Sequence, residues 1–209
     1  MEIAEPERSR TRRTLDRLRT DVLPLLVLAA LMLAARSSFA NHYHVPSGSM
    51  QPTLQPGDRV AVDMTAYGVR IPFTLFDVVP RGGPRPGEVV VFDSPADGTR
   101  LIKRVVAVAG DTVELVDGRL RINGAALQPG GLVDVERFGA REVALDLRHG
   151  GGPGIVPTVV PDGMVLVLGD HRGRSADGRY FGLVPEREFY GRAIAVYHRR
   201  GEGFIWKRL

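Results

Sequence analysis

From residue 55 onward the apolar residues come in runs of four to eight, with Gly, Pro, Asn and Asp between them. No segment there repeats at the spacing of a long amphipathic helix, so the chain is committed to short strands joined by turns. The best strands fall at 59–63, 88–92, 101–109, 112–116, 119–122, 164–168 and 193–197. Asp117-Gly118 and Asn123-Gly124 are hairpin dipeptides, because their residues tolerate positive φ. The 25 Gly and 15 Pro among 209 residues suit a body with many turns. The predicted architecture is mainly β, an antiparallel β-barrel or sandwich over 41–209. Residues 125–162, richer in Gly and Pro, read as an inserted irregular hairpin or cap.

Ahead of this body lies the chain's one long apolar stretch. Residues 1–21 carry six Arg against five acids, and 22–35 are then apolar apart from Pro24. Those 14 residues are too few to span a bilayer. Extended to Ala40 they make 19. At 1.5 Å per residue that is roughly 28 Å, near the hydrocarbon thickness. Arg36 would then snorkel to the interface. A transmembrane helix at 22–40 behind a cytoplasmic basic tail at 1–21 is one reading. A cleavable signal peptide ending at Ser38-Phe39-Ala40 is the other. Both leave the Arg-rich flank inside and the body outside the cytoplasm.

Several chemistries are excluded early. Cys is 0, so there is no disulfide, thiol nucleophile or thiolate metal site. No His/Asp/Glu group has ligand spacing in the sequence, so neither metal nor other cofactor is implied. Net charge is only +4 and no basic block with aromatics follows residue 40, which argues against nucleic acid.

What remains is hydroxyl chemistry. In Val45-Pro46-Ser47-Gly48-Ser49-Met50-Gln51-Pro52-Thr53-Leu54 two serines flank a glycine, stiffened by prolines. A tight bend at Gly48 could expose a hydroxyl and aim N–H groups at one point, as a nucleophile and oxyanion hole require. Taken alone, such a segment is an ordinary Ser/Pro/Gly loop. A serine also needs a base. Of His42, His44, His149, His171 and His198, His171 is the best rival. Lys103 is stronger, because it is one of only two lysines and sits in an apolar strand whose burial would lower its pKa. Lys103 and Arg104 must face opposite sides, so at least one enters a covered surface.

The 46–54 segment resembles the catalytic-serine box of bacterial type I signal peptidases, a Ser–Lys family. The resemblance continues through Gly57-Asp58, 87–92, 101–111 and 169–186, in the family's order. It implies Ser49 as nucleophile and Lys103 as general base. Ser47 would complete the oxyanion hole with the Ser49 N–H, and Ser175 would orient the lysine. Arg104, Asp170, Asp177 and Arg179 would form a supporting ion-pair set. Tyr43, Val45, Met50, Leu54, Leu101 and Ile102 would shape shallow pockets for small residues before the scissile bond. The implied activity is removal of signal peptides from exported preproteins. A specialised relative, such as a conjugation-pilin maturation peptidase, and an inactive leader-binding β-domain are the alternatives.

The family's last box commonly reads G-D-N-R-D-N-S-x-D-S-R-Y-[WF]-G. Here it runs Gly169-Asp170-His171-Arg172-Gly173-Arg174-Ser175-Ala176-Asp177-Gly178-Arg179-Tyr180-Phe181-Gly182. The middle acid is absent at Gly173, Arg174 adds a charge and Gly178 replaces a serine. Leu101 stands where an aromatic is frequent. The resemblance also favours an uncleaved, single-pass anchor in the bacterial plasma membrane, with lipid as a partner. Residues 69–79, carrying Phe73, Leu75 and Phe76, are a candidate membrane-contacting loop.

Overall fold

The Val-rich runs pair as antiparallel strands. The computed structural model describes residues 18–28, 40–70, 77–80, 82–128 and 134–209. In chain order the strands are β1 (Ala40–His44), β2 (Arg59–Asp63), β3 (Gly68–Arg70), β4 (Asp77–Pro80), β5 (Val89–Asp93), β6 (Arg100–Val108), β7 (Thr112–Val116) and β8 (Arg119–Ile122). They continue as β9 (Ala125–Ala126), β10 (Val135–Phe138), β11 (Arg141–Ala144), β12 (Ile155–Val159), β13 (Met164–Leu168), β14 (Val184–Pro185), β15 (Phe189–Arg199) and β16 (Gly203–Arg208). One eight-stranded sheet has the order β1-β2-β15-β5-β6-β13-β14, with β16 on β15. A four-stranded sheet has the order β12-β7-β8-β9, and β10–β11 and β3–β4 are hairpins.

Four of the strands read from the sequence coincide with β2, β7, β8 and β13, while β5 and β6 are displaced by one residue and β15 is longer. Asp117 and Gly118 have φ of 51° and 78°, and Asn123 and Gly124 of 52° and 78°. Both hairpin dipeptides therefore adopt the positive-φ pair of a two-residue turn. Segment 125–162 supplies β9, the β10–β11 hairpin and β12, which joins β7. After residue 40 the described helices are single turns, among them α1 (Gly178–Phe181).

β5 explains why one run is apolar without alternation. Val89 and Val91 enter a core cluster with Val60, Val62, Ile102 and Val196. Val90 and Phe92 enter another with Val105, Val165, Val167 and Phe189. A strand covered on both faces cannot afford a polar side. The long β6 then passes into a third cluster, where Val106 and Ala107 meet Val113, Leu115 and Leu120 of the second sheet.

Residues 29–39, the greater part of the expected anchor, lie outside the described residues, as do 1–17 of the tail. Leu18–Val22 form a π-helical turn and 23–28 continue as α-helix, with Leu25 and Leu26 exposed. Among the described residues no helix is long and apolar enough to cross a membrane. Phe73, Leu75 and Phe76 also fall outside the described residues; the flanks of that loop form β3 and β4.

The β10–β11 hairpin is tied to the turn after β13 by an ion pair that the sequence reading missed. Glu136 on β10 and Arg172 are both buried. Arg172 donates Nη2 to Glu136 Oε2 at 2.5 Å and Nη1 to Oε1 at 2.9 Å. Nη1 also reaches the Gly118 carbonyl, and the Leu120 N–H donates to Glu136 Oε1. Glu136→Ala would strand a buried guanidinium, at a cost of about 3–5 kcal/mol. A large fall in the urea midpoint is the expected result, and an unchanged midpoint would show that the pair is not a stabilising link.

Candidate active site

Two elements bring the chemistry together. The first is the 45–54 segment, held at both ends. The Val45 N–H donates to the Asp58 carbonyl and the Gly57 N–H to the Val45 carbonyl. Val45, Met50 and Leu54 sink completely into the first core cluster. With these three as anchors, the intervening Ser47–Ser49 bend stays near the surface. The second element is β6. Its register with β5 is continuous, setting Lys103 opposite Val90 and Arg104 opposite Val89. Each is only 3% exposed, so both faces of the strand are covered and both charges need partners inside.

Lys103 finds Ser49. Its Nζ lies 2.5 Å from Ser49 Oγ, across 54 residues of sequence. Burial pushes the Lys103 ammonium down from 10.5 to about 8, with Arg179 acting in the same direction. Asp177 and Asp170 oppose the shift. Ser47 Oγ donates to Ser49 Oγ at 3.3 Å, so three polar side-chain atoms converge on one point.

Arg104 finds Asp170. Its Nε and Nη2 make a bidentate pair at 2.8 and 2.7 Å, and Nη1 donates to the Gly87 carbonyl. Thr53 Oγ1 donates to Asp170 Oδ2 at 2.5 Å, which ties the serine segment to the ion pair. Arg179 and Asp177 form a second pair, with Nε to Oδ1 at 2.8 Å. Asp177 Oδ2 accepts the Gly169 N–H. The four residues expected to support the site thus form two buried pairs, joined through the Gly169–Asp170 backbone.

Other expected roles are placed differently. Ser175 is buried close to Gly169, but its Oγ makes no hydrogen bond. The expected bond to Lys103 is absent, and Lys103 Nζ contacts Ser49 Oγ. Val45, Met50 and Leu54 have no exposed surface and Ile102 has 4%. They support the site from below, while only the half-buried Tyr43 and Leu101 keep substantial surface of the six expected pocket residues. His171, the rival base, does not face the Ser49 hydroxyl. Its backbone N–H donates to the Ser49 carbonyl at 3.1 Å, and its Nδ1 lies 3.3 Å from the Gly48 carbonyl.

Gly169 is the tightest point of the assembly. A Cβ there would stand 2.2 Å from Ser175 Oγ and 2.5 Å from the Ser49 carbonyl oxygen. Gly169→Ala must displace the backbone of Ser49, and a shift of about 1 Å can cost 10²-fold in rate. The expected result is a fall of about that size in kcat with a folded protein by circular dichroism. Undiminished kcat would show that Ser49 tolerates the displacement.

A serine hydroxyl in contact with a buried lysine, on a β scaffold, defines the Ser–Lys class of serine hydrolases. Residues 19–198 match the family described as signal peptidase, peptidase S26. The chain belongs to that family, and it is a serine peptidase. It is 35% identical over 193 residues to Signal peptidase I of Pseudomonas aeruginosa, covering 80% of this chain and 68% of that protein. It is 31% identical over 180 residues to the probable signal peptidase I-2 of a Synechocystis strain, covering 83% and 70%. Signal peptidase I of Bacillus licheniformis is 30% identical over 177 residues, covering 84% and 86%.

Proposed function

We propose that this protein is a membrane-anchored endopeptidase that removes signal peptides from exported preproteins, with Ser49 as nucleophile and Lys103 as general base. The observation that carries the assignment is the 2.5 Å contact between Lys103 Nζ and Ser49 Oγ in a buried setting. A neutral amine takes the Ser49 proton as Oγ bonds to the scissile carbonyl carbon. The oxyanion that forms is met by the Ser47 hydroxyl and the Ser49 N–H. Lys103 passes its proton to the leaving amine as the C–N bond breaks, leaving an acyl-Ser49. Water then attacks the ester, with Lys103 accepting its proton and returning it to Ser49.

Residues 41–209 serve as one catalytic domain of barrel or sandwich type, with 125–162 as its cap. Residues 22–40 are its single-pass anchor and 1–21 its cytoplasmic tail. The exposed leucines of 23–28 support a lipid environment, since an aqueous setting would leave them uncovered. Ser49 is nine residues past Ala40, which suits a scissile bond emerging just outside the bilayer. Of the six expected pocket residues, the half-buried Tyr43 and Leu101 keep surface that could meet small side chains at the first and third positions before the cut.

The test is to incubate the full chain, purified in detergent, with a preprotein and sequence the new N-terminus. Cleavage after a small-x-small pattern is expected. A cut elsewhere, or none, would overturn the substrate assignment.

A further inference from the structure

Behind the serine bend lies a cluster that the peptidase chemistry does not use. Asp146, His149 and His171 each present one donor atom, and the three atoms lie within 4.8 Å of one another. His149 Nδ1 is 3.1 Å from His171 Nε2, and His171 Nε2 is 4.0 Å from Asp146 Oδ2. Two histidines and a carboxylate suit zinc, whose bonds to such donors run about 2.0–2.2 Å. Around a tetrahedral ion those bonds set neighbouring donors roughly 3.3–3.5 Å apart, so the 3.1 Å spacing is close to that value and the 4.0 Å one must contract by about half an ångström.

The backbone fixes this arrangement. The Asp146 N–H donates to the Asp170 carbonyl at 2.9 Å, and the Arg172 N–H to the Asp146 carbonyl at 3.1 Å. Asp146 and His171 are therefore held as a bridged pair, and both are buried. The His171 tautomer is fixed as well. Its Nδ1 faces the Gly48 carbonyl, which can only accept, so Nδ1 carries the proton and Nε2 presents its lone pair to the cluster. A ligating histidine is commonly oriented in this way by a carbonyl on its other nitrogen.

His149 is brought in by a glycine. A Cβ at Gly173 would stand 2.3 Å from the His149 carbonyl oxygen. His171 and Gly173 thus lie two residues apart in one turn, beside the segment that carries His149. One supplies a donor, and the other lets the segment bearing the second donor pack close.

The geometry points to a zinc-binding site formed by Asp146 Oδ2, His149 Nδ1 and His171 Nε2, with a water molecule as fourth ligand. Arg148 donates to Asp146 Oδ2 at 2.5 Å and competes with a cation there. Its side chain is 79% exposed and can swing into solvent, while its backbone N–H keeps Asp146 Oδ1 in place. Two imidazoles disfavour magnesium and calcium, which take oxygen donors. The His171 N–H holds the Ser49 carbonyl, so the ion would brace the nucleophile's loop from behind without touching substrate.

The full chain in detergent, stripped with chelator, is titrated with Zn²⁺ by calorimetry and with Co²⁺ by visible absorption. One equivalent is expected, with a rise in Tm on Zn²⁺ addition and the strong visible bands of tetrahedral Co²⁺. His149 is exposed, so His149→Ala should fold, and it should weaken binding by at least about a hundredfold, since loss of even an outer-shell partner costs 10–100-fold. Arg148→Ala should bind more tightly. The exposed pair His42 and His44 is the competing source of affinity, and the double alanine variant should bind as wild type does. No binding by wild type, binding that survives His149→Ala, or binding lost only in the His42/His44 variant would overturn the site. None of these readouts depends on peptidase activity.

Discussion

Arginine in place of Lys103 is expected to leave no measurable cleavage. By charge and length the change is mild, and 26 of the 28 basic residues are already Arg. At this position the ability to lose a proton decides the outcome. Burial brings the lysine down to about 8. At pH 7.5 about a quarter of it is then neutral, against roughly 0.1% for an unperturbed lysine. A guanidinium stays protonated throughout and cannot accept the Ser49 proton. The sign of the pH dependence follows. The wild-type rate should rise with pH as the ammonium deprotonates and level off above about pH 8. Assays of wild type, Lys103→Arg and His171→Ala on one preprotein from neutral to alkaline pH separate the candidate bases. Substantial activity in the Arg variant, with loss in His171→Ala, would make histidine the base.

The strands were legible wherever burial imposed a pattern. Val60 and Val62 on β2 alternate with half-exposed neighbours, and β5 is apolar because both of its faces are covered. β1 and β16 were not legible. Ala40–His44 is largely polar and, among the described residues, pairs with β2 alone, and Gly203–Arg208 adds to β15 with most of its side chains exposed. Alternation required that Lys103 or Arg104 be covered; it could not reveal that both are, since that depends on what packs on each face of the sheet.

Contacts made in space left weaker traces. Glu136 and Arg172 are 36 residues apart, and a Glu beside an Arg in a short hairpin strand looks like a surface residue. Its burial follows only from the docking of β10 on the turn after Gly169. The meeting of Asp146, His149 and His171 was likewise hidden, because no sequence spacing shows that the Asp146 and His171 backbones pair. Burial at the expected pocket positions was equally hard to read. Val45, Met50 and Leu54 sit in the right segment but are its buried anchors, and proximity in sequence to a nucleophile does not give access to substrate.

Ser47→Ala is expected to slow cleavage by about 10²–10³-fold, equivalent to roughly 2.7–4 kcal/mol, the range for loss of one oxyanion donor. Ser47 is exposed, and its hydroxyl lies 3.3 Å from Ser49 Oγ, already aimed at the reacting atom. When Ser49 Oγ bonds to the carbonyl carbon, the oxyanion develops one bond beyond that carbon, within reach of the same hydroxyl. The Ser49 N–H alone would then carry the charge in the variant. Because the oxyanion exists only along the reaction path, kcat should fall while KM changes little. The alkaline rise should stay in place, since Ser47 is absent from the groups that set the Lys103 value. Ser47→Thr keeps a hydroxyl on the same carbon and should recover much of the rate. A fall in Ser47→Ala confined to KM would make Ser47 a binding residue. A displaced pH profile would mean that it acts by holding the dyad together.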